Sequence, residues 1–296
     1  MKNLDSGVRD SGSGVRSELP GALVTGASGG IGSATAARLS EAGFSVCVSD
    51  LDLGACEAVA ASVGGACWAR ELDVTDFSQC EMAASEVVNR TSGLALWVNN
   101  AGVIFQGLSQ DQPPEIHRKM VEVNTLGTIN GTLAALGEMR KAQAGHVVNV
   151  VSLAGLVAVP GEAGYAASKH AALAFSLGLL YDLRKNGETG IDISAICPDG
   201  VWTPMISVML EDPEGAASFS GSTLMPDDVA RRIEEVARKP RPLTAIPRWR
   251  GIFVRILDLF PSIGVKLMPV ILRDAQRKQR KFANRVREGK VPPPGS

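Results

Sequence analysis

Short, mainly apolar runs of four to seven residues punctuate most of the chain, at 22–25, 45–49, 66–72, 94–98, 146–151 and 191–196. Between them, at about 31–42, 53–62, 77–90, 116–141 and 165–186, apolar residues recur every three or four positions, the spacing of one helix face. The short runs do not alternate apolar with polar, which is how strands read when helices cover both of their faces. Strand following helix following strand predicts a parallel, doubly wound α/β sheet with right-handed crossovers. No linker and no internal repeat divides the pattern, so residues 19–250 are expected to form one domain.

Beyond residue 198 the rhythm loosens. Residues 204–222 predict a long loop with short helices, a kind of connection that often covers a site. A helix over 227–239, begun by Pro226, and a last short strand over 243–246 follow. An apolar stretch, 252–272, is cut by Pro261 and Pro269, and 251–296 as a whole reads as a helical, basic extension. At the other end, residues 1–18 are rich in Ser, Gly and charge without an apolar core, the mark of a disordered tail rather than a signal peptide.

Composition narrows the function classes. The chain is 45% hydrophobic and 21% charged, ordinary for a soluble globular protein, and no apolar run approaches the roughly 18 residues of a membrane span. Thirty basic against 31 acidic residues give no reason to expect a nucleic-acid partner, although eight Lys and Arg crowd into 273–290 against Asp274 and Glu288. Cys47, Cys56, Cys67, Cys80 and Cys197 form no Cys-x-x-Cys pair and have no His cluster beside them, so neither a metal site nor a disulfide framework is expected and a cytoplasmic location fits.

The first strand runs straight into Thr25-Gly-Ala-Ser-Gly-Gly-Ile-Gly32, and a helix follows. Gly26 lets the chain leave the strand tightly, Gly30 lets backbone approach a pyrophosphate, and Gly32 lets the helix pack on the sheet; Ser28 and Ile31 complete the turn. The helix N-terminus then offers free N–H groups to phosphate. Asp50 closes the second strand, where a carboxylate accepts hydrogen bonds from ribose hydroxyls and repels a 2′-phosphate. With no Lys or Arg in the turn or just after Asp50, the expected cofactor is NAD rather than NADP. Asp73 and Val74 are placed to meet an adenine. Asn99, Asn100, Ala101 and Gly102 either approach the cofactor or pin neighbouring strands, and the two roles are compatible.

Tyr165 and Lys169 stand four apart on a predicted helix and share a face. An ammonium beside a phenol favours phenolate, which is the shift that near-neutral proton transfer requires. Ser152, just after the fifth strand, can hold a substrate oxygen beside the phenol, and Asn124, an unfavourable residue within a helix, can bind water beside Lys169.

Taken in order, the Gly-rich turn, Asp50, Asp73-Val74, Asn99-Asn-Ala-Gly102, Asn124, Ser152 and Tyr165-x-x-x-Lys169 resemble the short-chain dehydrogenase/reductase family over about residues 20–246. The resemblance implies a seven-stranded Rossmann-like sheet of order 3-2-1-4-5-6-7. It also implies Tyr165 as general acid/base, Lys169 lowering its pKa and bonding the nicotinamide ribose, Ser152 orienting the carbonyl or alcohol, and Asn124 supporting a proton relay through water. Pro198, Val201 and Thr203 match positions that meet the nicotinamide. The chain departs from the family's Pro-Gly-x-Val-x-Thr at Pro198-Asp-Gly-Val-Trp-Thr203: Asp199 replaces the first Gly. Either Gly200 takes over the turn, or the carboxylate faces solvent or the substrate mouth.

Together these features lead us to expect an NAD-dependent oxidoreductase that interconverts a secondary alcohol and a carbonyl. The alternatives are a non-catalytic dinucleotide sensor, an NADP-dependent carbonyl reductase and a sugar-nucleotide epimerase or dehydratase, the last disfavoured by the short, basic C-terminal segment. Trp202, Met205, Ile206, Val208, Met209, Leu210 and Phe219 of the loop, with Val157, Val159 and Pro160, are expected to line an apolar pocket for a steroid-, retinoid- or lipid-like substrate. For residues 251–290 three placements stay open: packing on a neighbouring subunit, contact with an anionic membrane surface, or capping the protein's own site. Helix faces within 116–141 and 165–186 are expected to form a homodimer or homotetramer.

Overall fold

The computed structural model describes residues 17–295. The tail expected over 1–18 therefore lies outside the described residues up to position 16, while the Ser17 amide donates to the Arg90 carbonyl (2.8 Å). In chain order the elements are β1 (Gly21–Thr25), α1 (Gly30–Glu41), β2 (Ser45–Asp50), α2 (Leu53–Val63), β3 (Cys67–Glu71), α3 (Phe77–Arg90), β4 (Leu94–Asn99) and α4 (Pro114–Val121). They continue with α5 (Gly127–Ala142), β5 (Gly145–Val150), α6 (Ala163–Lys185), β6 (Ile191–Pro198), α7 (Pro204–Ser207), α8 (Pro226–Arg238), β7 (Leu243–Ile246), α9 (Arg248–Leu259) and α10 (Pro261–Arg287).

The helices start where local chemistry satisfies their first amides. The Asp52 carboxylate accepts from the Ala55 amide at 3.0 Å, and Asp76 accepts from the amides of Ser78 and Gln79. Pro114, Pro204, Pro226 and Pro261 open α4, α7, α8 and α10, where a missing N–H costs nothing. The seven strands pair in parallel in the order β3-β2-β1-β4-β5-β6-β7. Successive residues face opposite sides: Leu23 and Trp97 join Val87, Leu136 and Leu180 on one face, while Val24 and Val98 join Leu39 and Ile233 on the other. Both faces are thus covered, as the unbroken apolar runs predict.

Two segments depart from the expected helices. The stretch 116–141 is not one helix: a π turn over Glu122–Leu126 separates α4 from α5 and carries Asn124. Its side chain bonds both backbone groups of Val103, an anchor that a regular helix there would not aim in the same direction. At the other end Pro261 starts a helix but Pro269 does not end it, because α10 runs on through it to Arg287.

Sequence order reverses between β1 and β4, and there the carboxyl ends of the strands open a crevice. Beneath it lies a buried polar network. Trp97 Nε1 donates to Asn99 Oδ1 (2.7 Å), Asn99 Nδ2 donates to Thr132 Oγ1 (3.0 Å) and Asn149 Oδ1 (2.8 Å), and Asn149 Nδ2 donates to Ser176 Oγ (2.8 Å). Helix α5 reaches it through Gly131, where an added Cβ would collide with Asn99 Oδ1 and stand 2.7 Å from Trp97 Nε1. Gly131→Ala should therefore lower stability by about 2–3 kcal/mol through overpacking and broken hydrogen bonds. Gly137→Ala, in the same helix and with nothing near its Cβ, should raise stability by about 0.5–1 kcal/mol. Urea denaturation of the two variants checks this, and equal stabilities would refute it.

Candidate active site

At the crevice floor Gly26 (φ +64°) and Gly30 (φ +57°) adopt the left-handed conformation that side chains disfavour. A Cβ on Gly26 would stand 2.6 Å from Ala101 Cα, and one on Gly32 would strike the Gly26 carbonyl. Asn100 Nδ2 donates to the carbonyls of Thr25 (3.0 Å) and Gly26 (2.9 Å), while Thr25 Oγ1 accepts from the amides of Asn100 and Ala101 (both 3.0 Å). The turn after β1 is thus fastened to the end of β4. Nothing stands within 4 Å of a Cβ on Gly29, so the helix N-terminus opens onto free space.

Asp50 ends β2 beside this turn and accepts from Ser28 Oγ (2.6 Å), Ser28 N (3.2 Å) and Leu51 N (2.7 Å). The Asp73 carboxylate accepts from the amide and hydroxyl of Thr75 (2.8 and 2.7 Å), which ties it into its own loop. Both line one cavity of about 510 Å³. So do Gly26, Ser28, Gly30, Ile31 and Val74, and further along Asn100, Ala101 and Gly102. Pro198, Val201 and Thr203 border it from the far side. Gly32 does not line it, in keeping with a packing role. Asn99 serves the buried network, which resolves the Asn pair: one strand-pinning side chain, one turn-holding side chain at the cavity wall.

Ser152, Tyr165 and Lys169 meet in the middle of the cavity wall. Lys169 Nζ lies 5.7 Å from the Tyr165 ring centroid while donating to the Val150 carbonyl (3.0 Å), and the Ser152 hydroxyl is near enough to Tyr165 to lower its pKa. Asn124 is fully buried just outside the wall: its Oδ1 accepts from Val103 N (2.8 Å), and its Nδ2 donates to Val103 O (2.8 Å) and Ser168 Oγ (3.0 Å). It reaches the site across Gly102, where a Cβ would stand 3.1 Å from Asn124 Oδ1 and 3.4 Å from Lys169 Nζ.

The electrostatics differ from the expected acidified phenol. Burial raises the Tyr165 phenol above its ordinary range, the Glu162 charge adds to that, and the Ser152 hydrogen bond opposes it. Burial pushes Lys169 down to about 8. Burial is the first cause for both groups, and in the protein by itself it favours a neutral phenol, a proton donor.

Three further features shape the site, and the first of them, Glu162, escaped the sequence pattern. Glu162, at the start of α6, is buried against the cavity, accepts from Ser218 Oγ (2.7 Å) and Gln106 Nε2 (3.2 Å), and has its pKa raised by burial. Asp199 borders the cavity, the course expected of a carboxylate at the substrate mouth, but it is paired there: it accepts from Arg250 Nε at 2.9 Å, with both side chains about a tenth exposed or less, and Arg250 Nη2 donates to Ser220 Oγ (2.9 Å). Third, the C-terminal extension walls the cavity with Phe253, Val254 and Leu257 of α9 and Met268, Ile271 and Leu272 of α10. Of the loop residues expected there, Met205 and Ile206 line it, whereas Trp202, Met209, Leu210 and Phe219 do not and pack, together with Ile206, in a cluster with Phe282 of α10, and Val208 is exposed. The loop is held from behind, since Gln279 Nε2 donates to the carbonyls of Met209 (2.8 Å) and Asp212 (2.7 Å).

A sheet reversing at a glycine turn, with a Tyr, Lys and Ser at one cavity wall, defines the class: an oxidoreductase that uses a nicotinamide dinucleotide. Comparison with known proteins gives the family. Residues 21–214 match the family model described as short chain dehydrogenase, and the chain belongs to that family. Cyclopentanol dehydrogenase of Comamonas sp. is 32% identical over 206 residues, covering 69% of this chain and 81% of the relative. Estradiol 17-beta-dehydrogenase 11 of Mus musculus is 32% identical over 215 residues, covering 71% and 70%. Among solved structures, a short chain dehydrogenase/reductase from Burkholderia phymatum in complex with NAD superimposes with a TM-score of 0.73 at 24% identity, over 84% of this chain and 96% of that one, a likeness of fold.

A depressed lysine has a consequence for stability. Because Lys169 falls from 10.5 to about 8, the folded state bears the cost of a buried charge below pH 8, and that cost fades between about pH 8 and 10.5, where the unfolded chain still binds the proton. The shift corresponds to about 3 kcal/mol, less about 1 kcal/mol for the hydrogen bond to Val150. Lys169→Met should therefore be more stable than the parent at pH 7, with the advantage shrinking toward pH 10; denaturation curves at several pH values measure it, and a variant less stable at pH 7 would contradict it.

Proposed function

We propose that the protein is an NAD-dependent dehydrogenase that interconverts an apolar secondary alcohol, of cyclic or lipid-like type, and its ketone. The observation that carries this reading is the meeting of Ser152, Tyr165 and Lys169 at one wall of a cavity whose other end is the glycine turn and Asp50. The dinucleotide fits the cradle: a Cβ at Gly30 would stand 3.1 Å from Thr203 Cγ2, so the glycine keeps open the gap between turn and loop that a pyrophosphate needs. Gly26, Gly30 and Ile31 would hold its phosphates and Asp50 its adenosine ribose. Asp73 and Val74 would meet the adenine. Asn100, Ala101 and Gly102, with Pro198, Val201 and Thr203, would flank the nicotinamide half. When bound, it supplies the hydride donor or acceptor at the nicotinamide C4, chemistry that belongs to the cofactor.

The chain's own residues move the proton. Tyr165 Oη gives it to the carbonyl oxygen in reduction; in oxidation it first releases its own proton to solvent along the route beside Lys169 and then, as phenolate, takes the alcohol's. Ser152 Oγ holds that oxygen beside the phenol. Lys169 keeps a cation close to Tyr165 as charge develops on the phenol, and Asn124 fixes the backbone of Val103 next to Lys169, positioning the edge of a proton route. The apolar walls from Val157, Val159, Pro160, Phe253, Leu257 and Leu272 support a hydrophobic substrate, as do relatives named for cyclopentanol and estradiol. The Asp199–Arg250 pair neutralises two of the charges that line the cavity. Five free thiols fit a reducing, cytoplasmic setting.

A screen of secondary alcohols followed by NADH absorbance tests the reading. Cyclic apolar alcohols should exceed short polar ones by at least about tenfold in kcat/KM. Tyr165→Phe should bind NADH within about twofold of the parent and lose at least about 100-fold in kcat. Turnover that survives this substitution would exclude the mechanism, and NADH binding without any turnover would make the protein a sensor.

Asp50 gives a separate test. The parent should prefer NAD, and Asp50→Asn, which keeps the shape and removes the charge, should shift the NADP-to-NAD ratio of kcat/KM upward by at least about tenfold. An unchanged ratio would show that Asp50 does not read the 2′ position.

A further inference from the structure

Helices α9 and α10 wall the cavity with one face and leave the other bare. Of the 23 large apolar side chains exposed on the described surface, ten lie between Trp249 and Val270, and the rest scatter over residues 19–208. On α9 they recur at Trp249, Ile252, Ile256 and Leu259, the spacing of a single helix face; on α10 Ile263, Leu267 and Val270 continue it, with Phe260 between the two helices. A patch of this extent marks an interaction surface. It is not a loose end. Gly251 packs on Ala245 of β7, Val254 is buried against the end of the sheet, and Gln279, Phe282 and Ala283 are buried under the substrate loop.

The charges around this face point to its partner. Arg248, Arg255, Lys266 and Arg273 are all exposed along the same two helices, and Asp258 is the one acidic residue from 248 to 273. Two copies of the chain meeting symmetrically here would bring like charges together, which disfavours a dimer on this face. An anionic lipid surface neutralises the cations and buries the apolar side chains between them. Neither helix is long and apolar enough to cross a bilayer, so contact is in the interfacial plane.

We propose that the outer faces of α9 and α10 dock the protein on an anionic bilayer, so that the substrate cavity lies directly behind the docked helices. The docking does not depend on the redox reading, because it is measured without turnover. The test is co-sedimentation of the full chain with vesicles of phosphatidylcholine alone, or with about one-third phosphatidylserine, at about 0.05 M and about 0.5 M NaCl. The parent should bind the anionic vesicles and bind them at least about tenfold more weakly at high salt. The double variant Ile252→Glu/Ile256→Glu changes two exposed side chains, and should lose vesicle binding at least about tenfold while its thermal midpoint and NADH affinity stay at parental values. Parent protein that stays in the supernatant, or a double variant that binds as well as the parent, overturns the proposal. So does a variant that turns an oligomer into a monomer in size-exclusion chromatography without changing vesicle binding, which would assign the face to a second copy of the chain.

Discussion

Much of the site rests on a buried amine. Lys169 is 4% exposed and donates to the Val150 carbonyl at 3.0 Å, and its burial is enough to bring it down to about 8. A chain free to relax would turn such a group toward water. Here it cannot, because α6 is packed along β5 and β6, and Gly155, where a Cβ would stand 3.0 Å from the Lys169 carbonyl, admits the helix close to the loop after β5. The sheet therefore holds an amine and a phenol at the wall of the cavity proposed to take the dinucleotide, and bears the destabilisation this brings. The neutral state of the phenol follows from the same burial: both groups are tuned toward their uncharged forms until another charge enters the crevice.

The second constraint is the clamp between the loop after β6 and the C-terminal extension. Asp199 and Arg250 are both nearly out of solvent, and burial raises the Asp199 pKa although Arg250 opposes it. A pair of this kind adds little net stability over apolar packing, but losing one partner strands the other's charge. Its effect is geometric. It fixes the start of the loop, Ser220 near the loop's end, and α9 as one unit, while Gln279 of α10 takes the carbonyls of Met209 and Asp212 in between. The chain end returns to the same loop, with Trp202 Nε1 donating to the Pro292 carbonyl (2.9 Å). A segment that could have been a free lid is instead tied at several points.

What the sequence disclosed, and what it withheld, follows from the range of the forces involved. The parallel sheet was legible because strands buried on both faces need unbroken apolar runs, and the glycine turn because its left-handed residues tolerate little else. Ser152, Tyr165 and Lys169 were legible as a spaced set. The π turn at Asn124 was not, since a long-range bond to Val103 decides it and the local spacing is helical throughout. Asp199 stood out as a departure, yet its partner lies 51 positions away in a segment with no recurring motif. Trp202, Met209 and Phe219 were read as pocket lining because apolar residues in a loop over a site look alike whether they face inward or pack behind. Only the position of Phe282, brought round by α10, separates the cases.

This division of labour has a consequence for how specificity is built. The proposed cofactor end of the cavity is made by β1, β2 and β4 and their turns, elements fixed by backbone conformation and by the hydrogen bonds of Asn100 and Thr25. The proposed substrate end joins Val157, Val159 and Pro160 to side chains of α9 and α10, and these two helices lie beyond the stretch that matches the family model. Changes there alter the shape and polarity of the pocket without touching the turn that holds a dinucleotide or the helix that carries Tyr165 and Lys169. The same two helices present the exposed apolar face, so pocket and surface are opposite sides of one thin wall. A substitution that tilts α9 to reshape the pocket must also move Arg250 against Asp199, and through that pair the loop after β6. Selectivity and loop position are in this way mechanically coupled.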